Sequence, residues 1–298
     1  MAYISVAEAA KRWGLSERSV RNYCALGRLR GAFIIGKTWN IPETAAKPQR
    51  LNRHSEYLDG LLPRLKAEKK ARLPGGIYHH IQIDLTYNSN HMEGSRLTCD
   101  QTRFIFDTNT ISAAEPVWVD DVVETANHFR CIDMVIDSAA YALSESFIKQ
   151  LHGVAKNGTS DSRSERFAVG EYKKLPNEIG GRMTTAPEQV AAAMKQLLAE
   201  YNAQKGKSLD ELLDFHYRFE AIHPFQDGNG RVGRLLLFKE CLRNNVVPFI
   251  ITDDLKLCYC RGLQNWPTDR TCLRDTCLTA QDQFKKVLDY FKIAYKQN

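Results

Sequence analysis

The sequence predicts a mainly helical chain in two parts, a small unit over residues 1–48 and a large domain over residues 49–298. Three observations predict this. Apolar residues recur at helical spacing almost to the C-terminus, as in Val190, Met194, Leu197, Leu198 and Tyr201, and again in Phe284, Val287, Leu288, Phe291 and Tyr295. A polar stretch over 42–53 with a proline at each of 42 and 48 interrupts the pattern near the N-terminus. The charge is also unevenly divided. The first 50 residues hold nine Lys or Arg against three Asp or Glu and the rest holds 32 of each, so the whole net charge of +6 lies in the first sixth of the chain.

The elements justify themselves in order. Ser5 and Glu8 form a capping box opening a helix with Val6, Ala9, Ala10 and Trp13 on one face. Gly14 ends it, and Ser16 caps a second helix carrying Val20, Tyr23 and Cys24. Helix, short glycine turn, helix is the helix-turn-helix pattern. The β-prone residues 32–41, broken by Gly36, predict a hairpin or wing. In the large domain, residues 172–181 carry Pro176, Gly180 and Gly181 and predict a short hairpin among helices. A helix near 81–95 shows Ile81, Leu85 and Met92, with Gly94 at its end.

Composition limits the function classes. A hydrophobic content of 43% and a charged content of 26% fit a soluble globular protein. No apolar run approaches the roughly 20 residues of a membrane span, and the start of the chain lacks a signal-peptide pattern. Eight cysteines without a Cys-x-x-Cys pair argue against zinc and point to reduced thiols in the cytoplasm. The basic N-terminal part points to a nucleic-acid partner, and no membrane partner is expected.

The chemistry concentrates in residues 223–234, His-Pro-Phe-Gln-Asp-Gly-Asn-Gly-Arg-Val-Gly-Arg. Pro224 stops the helix through Leu212, Leu213 and Phe219, and Leu235, Phe238 and Leu242 mark the next one. Gly228, Asn229 and Gly230 therefore feed a helix N-terminus, an anion site made of backbone amides. Arg231 and Arg234 are suited to phosphate oxygens, Asp227 offers a hard oxygen for Mg²⁺, and His223 can accept a proton near neutral pH. Each feature alone is usually structural, but nine specified residue types over twelve positions form a composite.

That stretch matches the signature of the Fic family, His-Pro-Phe-x-Asp/Glu-Gly-Asn-Gly-Arg-x-x-Arg, and the chain resembles the family from about residue 51 to 296. The resemblance implies an all-helical core with a small β-hairpin flap, and AMP transfer from ATP to a Tyr, Thr or Ser hydroxyl of a protein with release of pyrophosphate. By the same resemblance His223 is the general base, Phe225 an apolar anchor and Asp227 the Mg²⁺ ligand. Gly228, Asn229 and Gly230 form the phosphate nest, with Arg231 and Arg234 as phosphate-binding arginines. Residues 174–181, with Ile179 and Gly180, resemble the flap that pairs with a target segment, and Tyr259 and Asn265 would lie near the adenine. Gly230 separates the chain from Doc-type kinases, which carry Lys there.

The segment 89–94, Ser-Asn-His-Met-Glu-Gly, resembles the inhibitory signature Ser/Thr-x-x-x-Glu-Gly/Asn of many Fic proteins. That implies that Glu93, braced by Ser89 one turn earlier, competes with the γ-phosphate for Arg234. Residues 3–42 resemble the winged helix-turn-helix of excisionase and MerR-like proteins. Arg18, Arg21 and Asn22 match its base-reading positions, while Arg28, Arg30 and Lys37 match phosphate contacts. Two other readings remain: a nucleotide-sensing transcriptional regulator, and an enzyme that removes AMP. The target protein is left open, with self-modification one candidate. The oligomeric state is open too, a homodimer being compatible with palindromic DNA.

Overall fold

The computed structural model describes residues 2–25, 29, 31–36, 38–48, 60–112 and 116–295. The chain divides into two compact units, Met1–Glu56 and Tyr57–Asn298. The expected join after residue 48 runs into residues 49–59, which lie outside the described residues.

In the first unit, strand β1 (Tyr3–Ile4) leads into helices α1 (Val6–Trp13) and α2 (Glu17–Ala25), followed by strands β2 (Phe33–Ile35) and β3 (Thr38–Pro42). The capping box closes in both directions. Ser5 Oγ accepts the Glu8 amide at 3.2 Å, and Glu8 Oε2 accepts the Ser5 amide at 2.8 Å. Gly14 ends α1 in the left-handed conformation (φ 63°), which costs a residue without Cβ little. The strands lie in the order β1-β3-β2, all antiparallel; β1 was not legible in the sequence. Val6, Ala9, Ala10, Trp13, Val20, Cys24, Leu29 and Ile41 form the core of this unit.

The second unit is helical, with α3 (Leu61–Ala71), α4 (Ile77–Met92), α5 (Cys99–Thr108), α6 (Val119–Ser138), α7 (Glu145–Ala155), α8 (Pro187–Ala203), α9 (Leu209–Ile222), α10 (Asn229–Asn244), α11 (Asp253–Asn265) and α12 (Thr271–Tyr290). Its axis is α10, which packs against α4, α6, α7 and α9. This helix has no polar stripe, because almost every residue from Asn229 to Leu242 is buried. No helix among the described residues is long and apolar enough to cross a membrane.

Three elements differ from their expected limits. Helix α4 begins at Ile77, before residue 81, because a carboxylate from α3 caps it: Glu68 Oε2, itself buried, accepts the Tyr78 amide at 3.0 Å. Gly76 is needed there, since a Cβ would overlap that carboxylate. Helix α12 ends at Tyr290, before Tyr295, because Lys292 turns left-handed and the Ile293 amide returns to Leu288 O at 2.9 Å. The hairpin expected over 174–181 is shifted to β4 (Glu178–Ile179) and β5 (Arg182–Met183). Gly180 (φ 52°) and Gly181 (φ 77°) do not end it but make its two-residue turn, which needs positive φ at both positions.

Candidate active site

Pro224 cannot continue α9, so the chain leaves the helix at His223. His223 is held at φ 51°, ψ 63°, a conformation uncommon for a residue with a Cβ and often found at functional sites. Its Nδ1 lies 3.3 Å from the Glu220 carbonyl. A carbonyl only accepts, so Nδ1 carries the hydrogen and Nε2 is left as the proton acceptor. Burial pushes the imidazole down to about 4, against the pull of the Glu220 carbonyl, so the ring is neutral at ordinary pH.

The loop after His223 is clasped by Asn229. Its Oδ1 accepts the Phe225 amide and its Nδ2 donates to the Phe225 carbonyl, both at 2.8 Å. The Phe225 ring is fully buried and stacks on His152 of α7, with centroids 3.9 Å apart and planes 4° from parallel. His152 Nδ1 accepts the Gly170 amide at 2.9 Å, so its Nε2–H donates to the Asp227 carbonyl at 3.0 Å. Helix α7 thereby sets the height of Asp227 over α10.

Gly228 opens α10 at φ 78°, without a side-chain cap. The first-turn amides of α10 therefore have no intrahelical acceptor and point at the loop. Around them lies a dense charge network. Asp227 Oδ2 is 2.6 Å from Lys156 Nζ and 3.2 Å from Arg231 Nη2. Lys156 also reaches Glu124 Oε1 at 2.7 Å and Asp161 Oδ2 at 2.6 Å, and Arg231 Nη1 pairs with Glu124 Oε2. Burial would raise the Asp227 carboxyl, but Lys156 and Arg231 hold it below the usual range.

One turn further on, Arg234 donates from Nε to Ser89 Oγ at 3.0 Å, and from Nη2 to Ser89 O at 2.9 Å and Glu93 Oε1 at 2.7 Å. Burial acts to raise the Glu93 carboxyl too, but Arg234, with Arg231 behind it, keeps it ionised. The Glu93 carboxylate lies over the start of α10, so a Cβ on Gly230 would overlap its Oε1.

Behind Arg234 the site is closed. The buried Glu220 carboxyl is pushed up to about 8 by burial, with Arg234 opposing. Tyr259 is buried too, and its hydroxyl meets His216 Nε2. The residue expected beside an adenine thus sits in the core, while Asn265 lies exposed at the end of α11.

The hairpin is tied to the same loop. Lys173 Nζ donates to Asn177 Oδ1 at 2.7 Å, Thr184 Oγ1 at 2.6 Å and Ile222 O at 3.4 Å, and its amide donates to Pro224 O at 2.9 Å. Asn177 Nδ2 donates to Phe225 O at 3.0 Å. Burial pushes the Lys173 ammonium down to about 8. Ile179 and Gly180 lie at the tip, where Arg182 Nη1 reaches the Gln264 carbonyl at 3.3 Å.

The structure thus brings His223, Phe225, Asp227, Gly228, Asn229, Gly230, Arg231, Arg234, Ser89 and Glu93 into one site. Sequence reasoning missed His152, Lys156, Glu124, Lys173 and Glu220, which reach the site only through packing. A buried ammonium or carboxylate has no local signature in a sequence, although Glu220 lies one helical turn before His223. For a divalent cation, Asp227 offers a partly exposed carboxylate of the hard-oxygen type that Mg²⁺ takes. Among the described residues no three His, Cys, Asp or Glu converge as a ligand set. Asp227 is thus the residue of this loop that would hold Mg²⁺, as a single protein carboxylate. In the N-terminal unit Arg18 and Arg21 are exposed on α2, Arg21 pairing with Glu17 at 2.7 Å. Arg28, Arg30, Lys37 and the Asn22 side chain lie outside the described residues.

Comparison with known proteins finds similarities that include this site. Residues 142–240 match the family model described as Fic/DOC family. The chain is 27% identical over 173 residues to a protein adenylyltransferase Fic of Drosophila mojavensis, covering 55% of this chain and 32% of the relative. It is 28% identical over 173 residues to the protein of the same name from Drosophila persimilis, with the same coverage. The match thus spans about a third of these curated relatives. Among solved structures, a Fic domain containing signaling protein from Bacteroides thetaiotaomicron superposes with a TM-score of 0.62 at 23% identity, over 80% of this chain and 99% of the other. Fic-1 from C. elegans superposes with a TM-score of 0.61 at 19% identity, over 76% of this chain and 66% of the other. These likenesses show the fold.

Proposed function

We propose that the chain is a protein adenylyltransferase that moves AMP from ATP to a Tyr, Thr or Ser hydroxyl of a protein and releases pyrophosphate. The observation that carries the reading is the meeting of a neutral, outward-tautomer His223 with an uncapped helix N-terminus and Arg234 in one site. The printed name of the Drosophila relatives supports it.

In this reading the residues divide the work as follows. His223 Nε2 takes the proton of the incoming hydroxyl as its oxygen attacks the α-phosphorus, and the bond to the pyrophosphate oxygen breaks. The first-turn amides of α10 and the two arginines stabilise charge on the phosphates. Asp227 would hold Mg²⁺, which when bound would supply further neutralisation of phosphate charge. Glu93 takes Arg234 from the γ-phosphate and keeps the enzyme off. The β4–β5 hairpin offers backbone for strand pairing to an acceptor segment.

The test is incubation of the Glu93→Gly variant with ATP labelled at the α-phosphate and Mg²⁺ in host lysate, with labelled hydroxyls mapped by mass spectrometry. Absence of label would overturn the transfer reading. Loss of pre-installed AMP from labelled protein would favour the removing reaction. A second reading concerns the first unit, which we propose binds DNA. Its support is the +6 charge of residues 1–50 and the exposure of Arg18 and Arg21 on α2.

A further inference from the structure

The buried cations Lys156, Arg231 and Arg234 around the site each pair with a carboxylate, but Lys173 does not follow that pattern. It is 3% exposed, and no carboxylate among the described residues pairs with it. Burying an ammonium that way is costly unless its hydrogens are all used. They are used: the three acceptors of Nζ are Asn177 Oδ1 and Thr184 Oγ1, at the two feet of the β4–β5 hairpin, and Ile222 O, the residue before His223. The feet are themselves joined, Thr184 donating through its amide and Oγ1 to Asn177 O at 3.2 and 3.1 Å.

The hairpin needs such an anchor. It has two residues in each strand, all exposed, and two-stranded hairpins of this kind are marginal in water. Near its tip Arg182 holds the Gln264 carbonyl. Its feet are fixed through one side chain to the backbone that also presents the catalytic imidazole, and Asn177 adds a second tie to Phe225 O.

We propose that Lys173 is a positioning residue that locks the β4–β5 hairpin to the His223 loop and so sets where an acceptor segment lies relative to the imidazole. The inference rests on the transferase reading above. Lys173 makes no contact with the anion site at the start of α10, so its effect falls on acceptor placement and not on nucleotide affinity.

Hydrogen exchange and labelling test this on the full chain. Lys173→Met removes the charge and the hydrogen bonds at similar volume, and Thr184→Val removes one leg of the clamp. Lys173→Arg keeps donors and charge. Lys173→Met is expected to speed amide exchange over residues 178–184 by about tenfold or more, with Thr184→Val intermediate and Lys173→Arg close to the parent. In a Glu93→Gly background, self-labelling from α-labelled ATP should fall by about ten- to a hundredfold in Lys173→Met, since small misplacements of reacting groups are costly. Affinity for a fluorescent ATP analogue should stay within about twofold of the parent. Unchanged exchange in both clamp variants, or ATP-analogue affinity falling as far as labelling does, would overturn the proposal. If the Glu93→Gly parent places no label at all, the transferase reading fails, and the exchange measurement still decides whether Lys173 holds the hairpin.

Discussion

Arg234 and Glu93 face each other at 2.7 Å, with the carboxylate lying over the start of α10, where any side chain on Gly230 would collide with it. An arginine that contacts a carboxylate offers the same kind of donors to a phosphate, so in the proposed reading the two acceptors would compete for it. Ser89, one turn before Glu93 on α4, holds the same guanidinium and fixes it in register with the carboxylate.

Removing the carboxylate should therefore release the site. A charge-assisted hydrogen bond of this kind is worth roughly 1.5–3 kcal/mol, or about ten- to a hundredfold in an equilibrium. Glu93→Gly is expected to raise AMP transfer by about that factor in a labelling assay. Adding Arg234→Ala should cancel the gain. Wild-type rates in Glu93→Gly would remove the inhibitory role.

His223→Ala should lower transfer by about 10²–10⁴-fold while ATP binding persists, because a positioned base acts on the chemical step. The pH profile follows from burial. The active imidazole is the neutral one and its protonation is pushed down to about 4, so activity should hold from pH 8 to pH 6 and fall only as pH approaches that value. An acid limb centred near the ordinary histidine value would contradict the buried placement.

Lys156 meets Glu124, Asp161 and Asp227 while only 3% exposed. Lys156→Met would leave Glu124 and Asp227 sharing Arg231 and take from Asp161 its Lys156 partner, and breaking a buried pair typically costs about 3–5 kcal/mol. Urea unfolding should show a loss of this size, whereas Asp227→Ala should leave stability closer to the parent and weaken Mg²⁺-dependent nucleotide binding instead. A fully stable Lys156→Met protein would show that the network is not structural.

Three buried histidines and the half-buried His223 make stability acid-sensitive. Burial pushes His128 and His216 down to about 3, and His152 and His223 to about 4. Below the ordinary value near 6.5 the unfolded chain binds protons that the folded chain cannot, so their contribution is lost as pH falls from there toward 4. Glu220 acts the other way. Its carboxyl is pushed up to about 8, so its contribution is full below the ordinary glutamate value and is lost as pH rises toward 8. Four groups against one predict a Tm that falls steadily from pH 6.5 to pH 4.5 by calorimetry. A flat Tm over that window would count against neutral buried rings.

A fragment of residues 1–48 should bind duplex DNA with an affinity that falls as salt rises, at a log–log slope of roughly −0.9 per phosphate contact. Arg21→Ala should reduce selectivity between sites more than Lys37→Ala does. Failure to bind at low salt would assign the unit to protein contacts.

The sequence by itself determined the helical class, the two-part division of charge and the twelve-residue run from His223 to Arg234. These are local properties: periodicity, composition, and residues placed by one loop and one helical turn. The pairing of Glu93 with Arg234 came from a resemblance to a known inhibitory signature and not from local spacing, since five helices separate α4 from α10 in the chain. Tertiary structure decided what surrounds that run. His152 stacks on Phe225 from α7, Lys156 and Glu124 reach Asp227 and Arg231 from α7 and α6, and Lys173 joins the hairpin to the loop. Each is a single side chain with no periodic or motif signal, and its role exists only because distant helices pack it against α10. Tyr259, which the resemblance implied to lie near an adenine, is another residue whose surroundings only packing decides: α11 sets its hydroxyl in the core against His216.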